Sequence, residues 1–543
     1  PGDVAKHLSS IGQLRGQLGL QFRVNHDPQN PLQFTAQGKF TQGSLTDDRL
    51  PYPISDIEAD IHMNQNGVRI KNATAHSGRT QFLVDAQLDG YEEKSNFLIR
   101  GKATHLVLDQ QIAAILPQKW KKQWNRYLPD GEVNADFQLM RDEKGWHPQC
   151  RLECLSLAFT HHKFPYRMER AQGTLELEND QLYLQLSAQA GDRPVEIVGR
   201  IYQPGPNGVG EVFLKADTVP LDEKLIRSTP EKIQKVIRSF SPQGTVNIFF
   251  HAKRETPDTQ WIPHCVIDLN HISIRYDKFA YPLQNVCGRL EGIGKKWAYR
   301  DLTGTNDTGL VTATGESQPT ASGIELALHI NAKKITLDDE LQNALPQSMQ
   351  KLWTQLRPAG NIDTEIQLDF KSASKSLNIS VTTNLNQIRV EPVFFPYRME
   401  NISGRVDYAN GRAQFSQLIS SHGKTNMTAS GRCQFAPDGS WNCHFTEINV
   451  DRLRMDRDLL LALPSGLRSG ITALQFSGPV NLNGAIRFTR GSNPQAPVTS
   501  DWNIGVETVQ GKIDCGIVLD QINGGINLVG SCNGEQFYSQ GEL

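Results

Sequence analysis

Hydrophobic and polar residues alternate along most of this chain. In Gly131 to Met140 (GEVNADFQLM), Val133, Ala135, Phe137 and Leu139 alternate with Asn134, Asp136 and Gln138. That period of two is a strand with one apolar face. The same pattern returns at Val246/Ile248/Phe250, at Ile362/Thr364/Ile366/Leu368/Phe370 and at Val480/Leu482, with further runs such as Leu182/Leu184/Leu186 and Leu377/Ile379/Val381. Turn signals separate the runs, among them Pro437-Asp438-Gly439 and Asn523-Gly524, the second being a favoured two-residue hairpin turn. A meander of hairpins follows, and it implies antiparallel pairing.

A second period interrupts the first. Ile233, Val236, Ile237 and Phe240 fall at i, i+3, i+4 and i+7, and Thr229-Pro230-Glu231 precedes them with a capping hydroxyl, a first-turn proline and an acid. Met349/Leu352/Trp353/Leu356 repeats the spacing, and Trp120/Trp124 lie four apart. Lys119, Lys121, Lys122, Lys232, Lys235 and Arg238 occupy the polar sides, most simply as solvated faces, with contact to acidic lipid head groups as the minor reading.

These patterns recur together. The helix-opening prolines Pro117, Pro230, Pro346 and Pro464 lie 113, 116 and 118 residues apart. Turn prolines Pro53, Pro165, Pro282 and Pro396 lie 112, 117 and 114 apart, and the pairs Gly173/Gly199, Gly288/Gly315 and Gly404/Gly431 follow in the same order. Three markers with one period predict tandem repeats of about 115 residues, each with about six strands and one short amphipathic helix. The expected boundaries are 1–108, 109–221, 222–337, 338–455 and a partial 456–543. Pro1 lies 116 before Pro117, so the chain is expected to open at a helix start, as a fragment of a longer array.

One helix per six strands cannot cover a whole apolar face, and no Gly/Ser linker separates the units, since LVLDQQ, VPLDEK and ITLDDE run straight into the next helix. The expected fold is therefore mostly β, one continuous elongated domain. It is a curved antiparallel β-sheet groove (a β-taco) whose roughly 27 strands, at about 4.8 Å each, span on the order of 130 Å. Separate sandwich domains are the alternative. Val133, Phe137, Leu139, Ile248, Phe250, Ile366, Leu368, Phe370, Ile379 and Val381 are the expected groove lining.

Composition removes several function classes. Lys plus Arg number 56 and Asp plus Glu 58, so the clustered basic surplus of a nucleic-acid binder is missing. No run approaches the 18 or so apolar residues of a membrane span. HExxH, GxSxG and phosphate-binding glycine loops are absent, so no enzyme activity and no cofactor or metal is expected. His161-His162 are adjacent on a strand and read as structural, as does Ser372-x-x-Lys375 in the polar loop KSASKS. The Phe164-Pro165-Tyr166 and Phe395-Pro396-Tyr397 turns read as structural corners. Eight cysteines include no CxxC. Cys515/Cys532 flank Asn523-Gly524, Cys433/Cys443 flank Asp438 and Cys265/Cys287 flank Tyr276 symmetrically, so each pair is a candidate cross-hairpin disulfide.

The segment MERAQGTLELENDQLYLQLSAQAGDRPVEIVGR (168–200) recurs as MENISGRVDYANGRAQFSQLISSHGKTNMTASGR (399–432). With its Gly-led strand, short turn, two strands and closing Gly, the pattern resembles the AsmA-like family of bacterial envelope proteins, among the bridge-like lipid-transfer proteins built from β-groove units. The resemblance implies a periplasmic protein, anchored in the inner membrane in its full-length form, that conducts phospholipid or another lipid toward outer-membrane components. It implies no catalytic residues. A scaffold for outer-membrane protein assembly stays open beside it, because it also needs a one-sided sheet.

Overall fold

The computed structural model describes residues 13–25, 33–47, 50–92, 95–116, 118–143, 145–493, 495–533 and 536–542. The helix expected at Pro1 and the marker Pro117 lie outside them. Among the described residues there are 28 strands and eight short helices. The chain divides into two compact units, Pro1–Val236 with Thr245–Ile267, and Ile237–Gly244 with Asp268–Leu543.

In the first unit thirteen strands pair antiparallel, each with its neighbour in the chain: β1 (Gln13–Asn25), β2 (Gln33–Thr46), β3 (Ile54–Asn64), β4 (Gly67–Ser77), β5 (Thr80–Asp89), β6 (Asn96–Leu108), β7 (Asp130–Asp142), β8 (Gly145–His161), β9 (Phe164–Glu178), β10 (Gln181–Ala190), β11 (Arg193–Tyr202), β12 (Val209–Pro220) and β13 (Gln243–Arg254). β14 (Ile262–Tyr276) is shared between the units. The second unit continues in the same manner through β15 (Phe279–Ile293), β16 (Lys296–Asn306), β17 (Gly309–Thr320), β18 (Gly323–Thr336), β19 (Ala359–Lys371), β20 (Ser376–Val390), β21 (Met399–Ala409), β22 (Arg412–His422), β23 (Thr425–Phe435), β24 (Trp441–Leu453), β25 (Val480–Arg490), β26 (Thr499–Asp514), β27 (Val518–Cys532) and β28 (Phe537–Glu542). Strands pack substantially only on their chain neighbours, so each unit is an open sheet one layer thick rather than a sandwich.

Helices come in pairs, where one was expected. These are α1 (Gln110–Ile115) with α2 (Gln118–Tyr127), α3 (Glu223–Ser228) with α4 (Glu231–Ser239), α5 (Asp339–Ala344) with α6 (Gln347–Leu356), and α7 (Arg457–Ala462) with α8 (Ser465–Leu474). Six strands separate each pair from the next. The first helix of each pair is N-capped by an aspartate, Asp109, Asp222, Asp338 or Asp456, whose carboxylate accepts from backbone N–H groups in the first turn. Thr229, expected to cap the later helix, instead ends α3, and its hydroxyl donates to the Ile226 carbonyl. The apolar stripe of α4 is not buried, since Ile233 and Val236 are exposed. In three pairs burial comes from the shorter partner, Leu225 and Ile226 of α3, Leu341 and Ala344 of α5, Leu459 and Ala462 of α7, whereas in the first pair Ala113 of α1 and Trp124 of α2 are both buried.

The core lies where a helix pair meets the apolar face. In the second unit Leu341 and Ala344 pack with Tyr281, Ala332 and Ile335, and Leu459 and Ala462 pack with Tyr397, Val450, Leu453 and Val480. Tyr397 lies in the loop before β21 and the half-buried Tyr52, whose hydroxyl donates to Asp109, in the bend before β3. The buried Tyr166 and Tyr281 instead lie within β9 and β15, so Phe164-Pro165-Tyr166, expected to be a corner, is the start of a strand. A pinned β-bulge completes each junction. His105, Thr218, Lys334 and Arg452 adopt left-handed φ values of 54°, 53°, 54° and 57°. Each donates its N–H to a side chain on the next strand, Asn134 (3.1 Å), Asn247 (2.8 Å), Asp363 (2.7 Å) or Asn481 (3.1 Å). A bulge bends and twists its strand, turning it toward the helices that follow.

If the core sits at these junctions, Leu459→Ala should destabilise the second unit by about 2–5 kcal/mol. Ile379→Ala, half-buried on the same face away from any helix, should cost about 1 kcal/mol or less. Urea melts followed by tryptophan fluorescence would check this, and equal losses would place the core elsewhere.

Candidate functional site

Directly opposed residues in antiparallel strands put their side chains on the same face, so the register can be followed from strand to strand. In the first unit one row runs Ala75, Phe82, Ala103, Ala135, Leu152, Leu175, Leu184, Gly199, Val212, Ala252 across β4–β13. Every member is apolar or glycine. In the second unit a row runs Ala313, Ile330, Ile366, Val381, Tyr408, Ala413, Cys433, Cys443, Phe488 across β17–β25. Polar interruptions on this face are satisfied internally, as where Thr364 and Thr383 share a hydrogen bond of 3.2 Å.

The opposite face carries charge. Lys102, Asp136, Arg151, Glu176, Tyr183, Arg200, Glu211 and Lys253 are successive cross-strand neighbours, with the sign alternating on either side of Tyr183. Lys102 and Asp136 are 3.2 Å apart, and the Arg200 guanidinium lies 4.7 Å from the Tyr202 ring centre and 5.1 Å from that of Tyr183. Such exposed pairs contribute little energy each. Their consequence is that one face is strongly hydrated while the other is not.

Helices cover only one end of the apolar face. Val133 is 1% exposed and belongs to the covered end, so this residue, expected in the lining, is core instead. Phe137 and Leu139 lie beyond it on β7, and Ile248 and Phe250 on β13; all four are half-buried on the apolar face of the first unit. In the second unit Ile366, Leu368 and Phe370 of β19 oppose Val381, Ile379 and Leu377 of β20. Among the described residues no second layer faces them. Toward the hairpin ends the face opens further, with Leu377 50% and Ile324 54% exposed. Phe394, from the loop before β21, rests on Phe488 with ring centres 5.1 Å apart, beside Phe445 and Phe415.

The six candidate disulfide cysteines separate. Cys433 and Cys443 oppose each other on β23 and β24 and are bonded, with Cα atoms 4.0 Å apart. Cys515 and Cys532 are free, and the expected turn at Asn523-Gly524 is a continuous part of β27. Cys515 sits in the turn before that strand and Cys532 at its far end, opposite Ser500, beyond bonding reach. Cys265 and Cys287 are also free, and the Cys287 sulfur lies 3.4 Å from His271 Nδ1. Burial pushes the Cys154 and Cys265 thiols up to about 11.

Among the described residues no group of three or more His, Cys, Asp or Glu side chains could hold a metal ion. The rings of His161 and His162 sit 4.7 Å apart at the end of β8, packed by Tyr127 rather than pointing to opposite faces. Ser372 is a structural cap, its hydroxyl accepting from the Ile324 N–H. No described helix is long and apolar enough to cross a membrane. Sequence reading missed the aspartate caps and the bulge-pinning Asn134, Asn247, Asp363 and Asn481, although each set recurs at the marker period. Searches against family models, curated proteins and solved structures find no match to this chain.

The thiol arrangement sets an order of alkylation. Exposed Cys515 should react first, Cys154 and Cys265 much more slowly, and Cys433 and Cys443 only after reduction. Mass spectrometry of iodoacetamide adducts against time would read the order, and prompt labelling of Cys433 without reductant would contradict it.

Proposed function

We propose that this chain is a lipid conduit of the AsmA-like, bridge-like kind, built from tandem β-groove units and acting in the bacterial periplasm between inner and outer membrane. What carries the reading is the apolar strip, continuous from strand to strand in each unit, backed by a charged face and covered by helices at one end only. A soluble ligand with hydrogen-bonding groups finds no fixed polar partners on such a strip, whereas acyl chains need none. Transport on it depends on unbroken apolarity rather than on any catalytic side chain. A partner scaffold is the second reading. It is favoured by β1, which among the described residues pairs on one side only and exposes Leu18, Leu20 and Phe22, an arrangement open to strand addition.

Native mass spectrometry with solvent extraction of the purified chain should find several phospholipids bound. Leu368→Asp places a charge on the strip and should reduce bound lipid several-fold, because an unpaired carboxylate in an apolar contact is strongly unfavourable. Gln367→Asp places the same charge on the opposite face of β19 and should leave lipid bound at the wild-type level. A lipid-free wild-type chain under gentle extraction, or equal loss in both variants, would remove the conduit reading in favour of the scaffold.

A further inference from the structure

Helix α2 differs from the other described helices. Its sequence, QKWKKQWNRY, contains four basic residues and no acid, whereas α4 pairs Glu231 with Lys235 at 3.6 Å, and α6 and α8 each hold a single cation. Trp124 is buried and fastens the helix to the sheet. Trp120, four residues earlier, is 53% exposed, and Tyr127 and Leu128 at the other end are 44% and 45% exposed. On this helix Lys122 and Arg126 point away from the buried Trp124, and the exposed Trp120 and Tyr127 rings flank that outward cationic side.

A second element extends the same surface. The Arg126 carbonyl accepts the His162 N–H at 2.9 Å, which holds the β8–β9 turn and its Lys163 against the end of α2. The His161 ring lies tilted against Tyr127, with ring centres 5.3 Å apart. Its pKa is held below the ordinary histidine range by burial first, and then by the fields of His162, Arg126 and Lys163. Asp130 of β7 and Glu169 of β9 both pair with Arg167, at 3.3 and 3.5 Å. Neither α2 nor the β8–β9 turn carries a carboxylate of its own.

We infer that α2 and the β8–β9 turn form a docking patch for an anionic lipid surface, Lys121, Lys122, Arg126 and Lys163 meeting head groups while Trp120 and Tyr127 enter the interfacial layer. Lysines and arginines near an anionic leaflet supply attraction, and indole and phenol rings settle at the boundary between head groups and acyl chains. The patch does not rest on the groove: it is a convex helix surface, and it would hold the protein at a membrane whether or not lipid enters the apolar strip.

Sedimentation with vesicles of phosphatidylcholine alone, and of phosphatidylcholine mixed with phosphatidylglycerol, tests this on the full chain. Binding should appear with the anionic vesicles and weaken at high salt. The double variant K121E/K122E should lower the partition coefficient at least about ten-fold, with charge reversal at two sites. W120A should lower it several-fold at any salt, and unchanged circular dichroism would show that both variants remain folded. Equal binding to both vesicle types, or wild-type binding by K121E/K122E, would overturn the assignment. So would single-stranded nucleic acid competing fully with the vesicles, which would make the patch a general polyanion site.

Discussion

A sheet one layer thick leaves its apolar face in contact with water unless something packs on it, and everything distinctive in this protein follows from how that demand is met. Each helix pair covers one end of the strands. In the second unit it does so through the shorter helix, whose leucine and alanine pack with Tyr281 or Tyr397, and in the first unit α2 adds the buried Trp124. The pinned bulge just before each pair bends the preceding strand so that helix and sheet can meet. Hydrophobic burial, aspartate capping and the bulge hydrogen bond act at the same place, so stability concentrates there and not along the strands.

Away from the junctions the strands are held mainly by their backbone ladders and by cross-strand side-chain contacts. This division has a functional meaning. The strip that contributes least to the core is the strip left open, and its residues need only be apolar and continuous. On the other face, alternating charges keep the sheet hydrated and discourage face-to-face stacking. One-sidedness is thus encoded twice, by apolar residues at one parity of each strand and by charged residues at the other.

In the first unit the proposed lipid strip and the proposed docking patch lie on different elements. The apolar strip suits chains without head groups, and the cationic, aromatic surface of α2 with the β8–β9 turn suits head groups without chains. They differ in their expected salt response, because charge attraction is screened and apolar burial is not. A protein bearing both would have separate means of meeting a membrane and of carrying material from it.

The period-two alternation of residues such as Val133 to Leu139 and Ile362 to Phe370 determined the strands, their antiparallel order and their apolar face, because adjacent side chains on an extended backbone must point opposite ways. Recurrence of the helix-opening prolines Pro230, Pro346 and Pro464 located the longer helix of three pairs, whereas the turn prolines Pro165 and Pro282 fall within strands. The sequence alone did not distinguish a lining residue from a core one: Val133 and Phe137 share a face and a pattern, and only the position of the helix pair makes the first buried and the second half-open. It placed a hairpin at Asn523-Gly524, where β27 instead runs on, because Asn523 accepts the Gln510 N–H and pins a bulge in β26 while the ladder resumes on either side. Cys433 and Cys443 found each other because their turn sets the register, whereas Cys515 and Cys532 are separated by the length of a strand. Local pattern therefore settles which backbone forms and which face is apolar, since those depend on neighbours in the chain. What covers that face depends on packing between residues far apart in sequence, and that was decided only by the tertiary structure.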